Sequence, residues 1–216
     1  MSVDTNIGFN KTSALMEVSL AYDVDLRDLA APEAALVVSH TNNADPGIPC
    51  IQWDTGQTPE EYFYPLQRCY WNYLRVYKQE GVELLEASPH AIPGDWMLLG
   101  KGVPAQVDDL DEDIPGVQGY GTLLVVPGGQ TMNTGFKFAL PASVISHENG
   151  SNEYIYRLKV QKQPGTLANS LTVRVHLPAG AQVVSISPDA LVQDQDLLLD
   201  TDLRRDVRLE VVFRQP

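Results

Sequence analysis

An all-β sandwich fold, arranged as two modules in tandem, is what this sequence predicts. Three observations carry the prediction. Apolar residues recur at every second position in run after run, the signature of half-buried strands. Helical periodicity is scarce, and the connections are short and rich in proline and glycine, which excludes an alternating strand–helix fold. Finally, LRVYKQEGVELLEASPHA (Leu74–Ala91) and VRVHLPAGAQVVSISPDA (Val173–Ala190) are nearly the same sentence written twice.

The strands follow in chain order. LMEVSLAYDVDL places Val18, Leu20, Tyr22, Val24 and Leu26 on one face. AALVVSHTN comes next, after a turn at Pro32, and YWNYLRVY alternates again. GTLLVV and TGFKFALP flank PGGQ, which reads as a hairpin turn. EYIYRLKVQ, LTVRVHL, AQVVSIS, DLLLD and VRLEVVF complete the set. The best helix signal, PEEYFYPLQ, is short and interrupted by Pro65. Short antiparallel strands at this spacing predict immunoglobulin-like sandwiches.

The doubled stretch reads as one hairpin used twice. Leu177, Pro178, Ala179 and Gly180 suit a type I turn in which Gly180 adopts positive φ, and Gly81 holds the same place in the first copy. Both copies then carry adjacent apolar residues, Leu84 with Leu85 and Val183 with Val184, which strict alternation forbids. A bulge, or a strand passing between sheets, permits it. The match extends to Asp95, Leu98 and Leu99 against Asp194, Leu197 and Leu198, and to Phe138 and Pro141 against Phe213 and Pro216. EVSLAYDVDL and EYIYRLKVQ read as equivalent opening strands, lying at sheet edges. A duplication is therefore expected, with modules over 1–143 and 144–216 joined at the turn-forming PASVISHENGSN.

The chain has 216 residues and a formal charge of −13, with no run of Lys and Arg, which argues against nucleic acid as a partner. No segment is apolar over the ~18 residues a membrane helix needs, and the first residues lack the features of a signal peptide. Cys50 and Cys69 belong to no CxxC and no Cys/His box, so zinc is not expected. Taken alone, they suit a disulfide or two buried thiols equally. If bonded, they would staple the polar segment between them with about 3 kcal/mol in the chain-entropy model.

Catalytic signatures are missing. His40, His90, His147 and His176 are scattered, and the chain has no GxSxG elbow, P-loop or GxGxxG. An enzyme is not expected, and an unrecognised hydrolase is the reading that would replace that view. In QVDDLDEDIPG, Asp109, Asp111 and Asp113 have the spacing that opens a calcium loop. Ile114 stands where the loop glycine belongs and Tyr120 where the bidentate Glu belongs, so a solvated loop is favoured over calcium, and no cofactor is expected. Aromatics crowd one stretch, among them Trp53, Tyr62, Tyr64 and Trp71. Exposed, they would stack on sugar rings and make a carbohydrate-binding module; the plainer alternative is that they pack on the Cys50 to Cys69 loop.

The order of motifs adds a resemblance. NIGFNKTSALMEVSLAYDVDL, AALVVSHTNN, a cysteine before YWNYLRVYKQEGVELLEAS, VVPGGQTMNTGFKFALP and YIYRLKVQKQPGT together resemble the C-terminal β-rich region of a bacterial family of large exported proteins of unknown function, held by one N-terminal membrane helix. The resemblance covers most of the chain and supplies no catalytic residues. It implies an extracytoplasmic, cell-surface location as part of a longer anchored protein, and with it a Cys50–Cys69 disulfide. The implied role is a scaffold or interaction region whose partners are other cell-envelope proteins or glycans. Contact with a membrane would come only through a segment outside this chain. Here the first turn is KQEG where that family has a proline, and the acidic loop is longer.

Overall fold

The alternating runs become strands in the computed structural model, which describes residues 1–52, 66–147 and 152–215. In chain order they are β1 (Ser2–Asn6), β2 (Met16–Asp25), β3 (Glu33–Asn42), β4 (Tyr70–Gln79), β5 (Glu83–Ser88), β6 (Asp108–Leu110), β7 (Val117–Val126), β8 (Thr131–Ala139), β9 (Ile145–His147), β10 (Glu153–Val160), β11 (Ser170–His176), β12 (Gln182–Ser187), β13 (Leu191–Gln193), β14 (Asp196–Asp202) and β15 (Val207–Arg214). The fold is an all-β sandwich. The helix signal at PEEYFYPLQ lies almost wholly outside the described residues. Four strands had no signal in the sequence: β1, β6, β9 and β13. Each lies at a sheet edge, where one flank is unpaired and a polar run such as SVDTN is tolerated.

The strands form three sheets. A seven-stranded sheet, β13-β14-β11-β2-β3-β8-β5, is faced by two four-stranded sheets, β1-β4-β7-β6 and β12-β15-β10-β9. Leu20, Tyr22 and Val24 of β2 and Leu36 and Val38 of β3 lie on the buried face of the large sheet. Val173 and Val175 of β11 continue that face, and all three sheets contribute to one continuous hydrophobic cluster. Between sheets, the Tyr120 and Phe138 rings lie 5.7 Å apart, a distance suited to tilted aromatic pairs.

The seam of the large sheet is its least local feature. β2 and β11 pair in parallel, Ser19–Asp25 against Ser170–His176, joining the N-terminal half of the chain to the C-terminal half. β2 was expected at an edge and is instead central, flanked by β3 and β11. β10 is not at an edge either: it lies between β15 and β9.

The repeated stretches are not hairpins. β4 belongs to a four-stranded sheet and β5 to the large one; β11 belongs to the large sheet and β12 to a four-stranded one. Each turn therefore carries the chain across the sandwich. The glycine conformation is as read, but each turn closes one residue later than expected, at Val82 and Ala181. Gly81 and Gly180 have φ of 85° and 77°, a conformation that costs glycine little. Val82 N and Ala181 N donate back to the carbonyls of Gln79 and Pro178. PGGQ is corrected in the same way, because β7 and β8 also lie in different sheets. Its Gly128 serves close approach: a Cβ there would sit 2.2 Å from the Asp45 carbonyl oxygen.

The bulges fall where the apolar doublets placed them. Leu84 pairs with Phe138 and Val183 with Phe213, and the register then slips by one residue in both strands. The slip turns Leu85 and Val184 outward, 44% and 45% exposed, so that alternation resumes. Leu85→Thr and Val184→Thr are therefore expected to change stability by less than about 0.5 kcal/mol; a urea midpoint shifted by more would mean the doublet packs. The further match fails at Leu98 and Leu99, which are 63% and 90% exposed outside any strand, whereas Leu197 is buried in β14.

One side chain crosses the seam. His176 on β11 lies 2.7 Å from Asp196 of β14 through Nδ1 and 3.0 Å from Asp23 of β2 through Nε2. Burial opposes its charge, but the hydrogen bonds to Asp196 and Asp23 and their negative charges together outweigh it and raise the pKa above the usual value. A raised folded pKa gives stability that is fully present below the unfolded pKa, about 6.5, and is lost as pH rises through the folded value. Relative to His176→Gln, the protein is expected to gain under about 1 kcal/mol at pH 5.5, the site being partly solvated, and nothing at pH 9. Urea melts of both proteins at the two pH values check this; a gap that widens with pH would refute it.

Candidate functional site

β4 organises both ends of the molecule. At its Tyr70 end it meets the cystine, and at its Gln79 end it borders a cleft. Cys50 and Cys69 form a disulfide. Trp71, 5% exposed, packs with both cysteines, Ile92 and Val125 in a second small core. Proposed from sequence as a candidate sugar-stacking residue, Trp71 is buried in this core, which leaves little of it open to a ligand. Trp53, Tyr62 and Tyr64 lie outside the described residues.

The acidic loop is tied to the outer face of β4. Tyr73 Oη donates to Asp108 Oδ2 at 2.7 Å, and Tyr77 Oη donates to Glu112 Oε2 at 2.6 Å. Asp109 accepts from Gln118, while Asp111 Oδ1 accepts from the Asp113 backbone at 3.3 Å. Among the described residues, no three His, Cys, Asp or Glu side chains gather as a metal site, so Asp109, Asp111 and Asp113 are not brought together. The histidines likewise join no such group among the described residues. His40 is fully buried and lies 2.8 Å from Asp4 Oδ1, which also accepts from Asn72 at 2.6 Å; this network joins β1, β3 and β4. His90 bonds Thr134 and His147 stacks on Tyr154.

The cleft was not foreseen. It encloses about 770 Å³ and opens where the two four-stranded sheets approach each other above β2. Leu20, Tyr22, Leu36 and Leu171 from the large sheet line it. Val76 and Lys78 of β4 form one wall, and Tyr156 and Leu158 of β10 the other. Strand geometry explains the lysine. Leu74 and Val76 face inward, 0% and 1% exposed, and two residues further on Lys78 must share their face. That phase was legible in YWNYLRVYKQ and is the signal that could have found the site, since lysine is rare at inward positions.

Lys78 Nζ donates to Tyr22 Oη at 2.6 Å and lies 4.2 Å and 4.7 Å from the ring centroids of Tyr22 and Phe138. Aromatic faces attract an ammonium, and here they partly replace lost hydration. Burial brings the Lys78 pKa down to about 7, and raises those of Tyr22 and Tyr156 above the usual phenol value. The wall is an amine and two protonated phenols set in apolar surroundings, suited to receiving an anionic head group.

No protein-family model matches the chain, and no curated protein matches it. Solved structures are similar only distantly. A putative nutrient binding protein from Legionella pneumophila matches at 8% identity and a TM-score of 0.48, over 97% of this chain and 69% of that one. Leukotriene A4 hydrolase from Saccharomyces cerevisiae matches at 6% identity and a TM-score of 0.49, over 94% of this chain and 30% of that one. An M1 zinc metallopeptidase from Deinococcus radiodurans, crystallised as an E323A mutant bound to a Tyr-Ser-Ala substrate, matches at 12% identity and a TM-score of 0.38, over 92% and 42%. The chain thus spans under half the length of the hydrolase and of the metallopeptidase.

Proposed function

We propose that this chain is a non-enzymatic, extracytoplasmic scaffold or interaction region of a bacterial cell-envelope protein, part of a longer anchored chain, meeting other envelope proteins or glycans. The observation that carries the reading is the Cys50–Cys69 disulfide, because cystines persist in oxidising compartments and are rare in reducing ones. Protease added to intact cells is the test, with alkylation and mass spectrometry of both cysteines. Cleavage outside and a cystine in the native protein are expected. Full protection with two free thiols would sink the location, and hydrolysis of an envelope polysaccharide by the purified chain would sink the non-enzymatic role.

We also infer that residues 1–143 and 144–216 are two copies of one immunoglobulin-like module. Supporting this are the matched orders β2-β3-β8-β5 and β9-β10-β15-β12, and β4-β7-β6 and β11-β14-β13. The bulge at the same register in β5 and β12 and the positive-φ glycine before each supply a second line of support.

A further inference from the structure

We propose that the cleft above β2 is a binding site for a small amphiphilic carboxylate, its head group against Lys78 Nζ and the Tyr22 hydroxyl and its hydrocarbon tail along Leu20, Leu36, Val76 and Leu171. This goes beyond the scaffold role and does not depend on the compartment. Three observations carry it.

The first is an uncompensated cation. Arg157 and Lys159, at the mouth of the cleft, are paired with Glu210 and Asp206. Lys78 has a phenol and two aromatic rings around its Nζ, and among the described residues no carboxylate pairs with it. A buried charge without a counter-ion is costly, and a ligand carboxylate supplies one. The second is sign. The chain carries a net −13, yet with Arg157 and Lys159 set aside as ion-paired the lining still holds Lys78, Arg208 and the amino group of Met1, with no acid beyond the paired Glu210. A cationic ligand is disfavoured there. Lys78 Nζ and the Tyr22 hydroxyl offer a point charge beside a single O–H donor, a set that suits a monoanionic carboxylate.

The third is shape and donor supply. About 770 Å³ lies within the roughly 300–1,000 Å³ range of small-molecule sites, and the lining away from Lys78 is mainly aliphatic. Tyr22 accepts from Lys78, which leaves its O–H to donate. Tyr156, 2% exposed, lines the same cleft and brings a second phenol to it.

Isothermal titration calorimetry with sodium octanoate and sodium decanoate, below their micelle concentrations, tests the site. Decanoate is expected to bind, more tightly than octanoate by roughly tenfold for two added methylenes. Decanol and decyltrimethylammonium are expected to bind at least tenfold more weakly than decanoate. Lys78→Met is expected to weaken decanoate binding by tenfold or more, and Tyr22→Phe by roughly threefold to tenfold, the latter keeping the ring and so the fold. No heat with decanoate, equal binding of the ammonium analogue, or unchanged affinity in Tyr22→Phe would each overturn the proposal. If Lys78→Met does not fold, the analogue series on the unaltered protein and Tyr22→Phe still decide.

Discussion

Phe138→Ala is expected to destabilise the protein by about 3–5 kcal/mol, and Phe213→Ala by as much. Both rings are fully buried, at matching places in β8 and β15, opposite the residue just before each bulge. Phe138 stacks on Phe136 with centroids 6.2 Å apart and meets Tyr120 from the facing sheet. Phe213 stacks on Tyr154 at 5.6 Å. Each truncation removes the transfer free energy of a large ring and leaves a cavity that the rigid sheets cannot close. Urea unfolding should show a lower midpoint at unchanged slope. Phe138→Leu should cost less, since most of the volume stays. A loss under 1 kcal/mol in both alanine variants would mean that the bulge-side cores do not hold the sheets together.

Breaking the cystine is the second large effect. Cys50→Ala with Cys69→Ala is expected to cost about 3 kcal/mol, from the loop-closure entropy restored to the unfolded chain over a separation of 19 residues. The cysteines are also packed, 4% and 2% exposed, in the small core that includes Trp71, Ile92 and Val125. Trp71 fluorescence should therefore respond to the change. Reductant should lower the thermal midpoint of the unaltered protein towards that of the double variant and leave the variant unmoved. Equal midpoints for all three would show that the bond does not stabilise the fold.

Much of this was legible because it is local. Val18, Leu20, Tyr22, Val24 and Leu26 declare a face by themselves, and Gly81 and Gly180 declare their turns. The doublets Leu84-Leu85 and Val183-Val184 declare bulges, since only an extra residue lets two adjacent apolar side chains coexist on a half-buried strand. Trp71 was harder. An aromatic beside a cysteine suits either a sugar platform or a core, and only its 5% exposure decides between them. Lys78 was overlooked for a different reason: lysine is ordinarily a surface residue, so its inward phase was outweighed by its chemistry.

By itself the sequence determined which longer segments extend, which of their faces are apolar, where the chain turns and where the ladders slip, but not the edge strands β1, β6, β9 and β13. The tertiary structure alone decided which strand lies beside which. KQEG, LPAG and PGGQ look like hairpin turns, yet each crosses between sheets. No local signal foretold that β2 and β11 would pair in parallel, or that a cleft would open above their seam. The physical reason is that side-chain alternation is written residue by residue. The backbone groups that pair strands are the same in nearly every residue, so the choice of partner is left to packing between segments far apart in the chain.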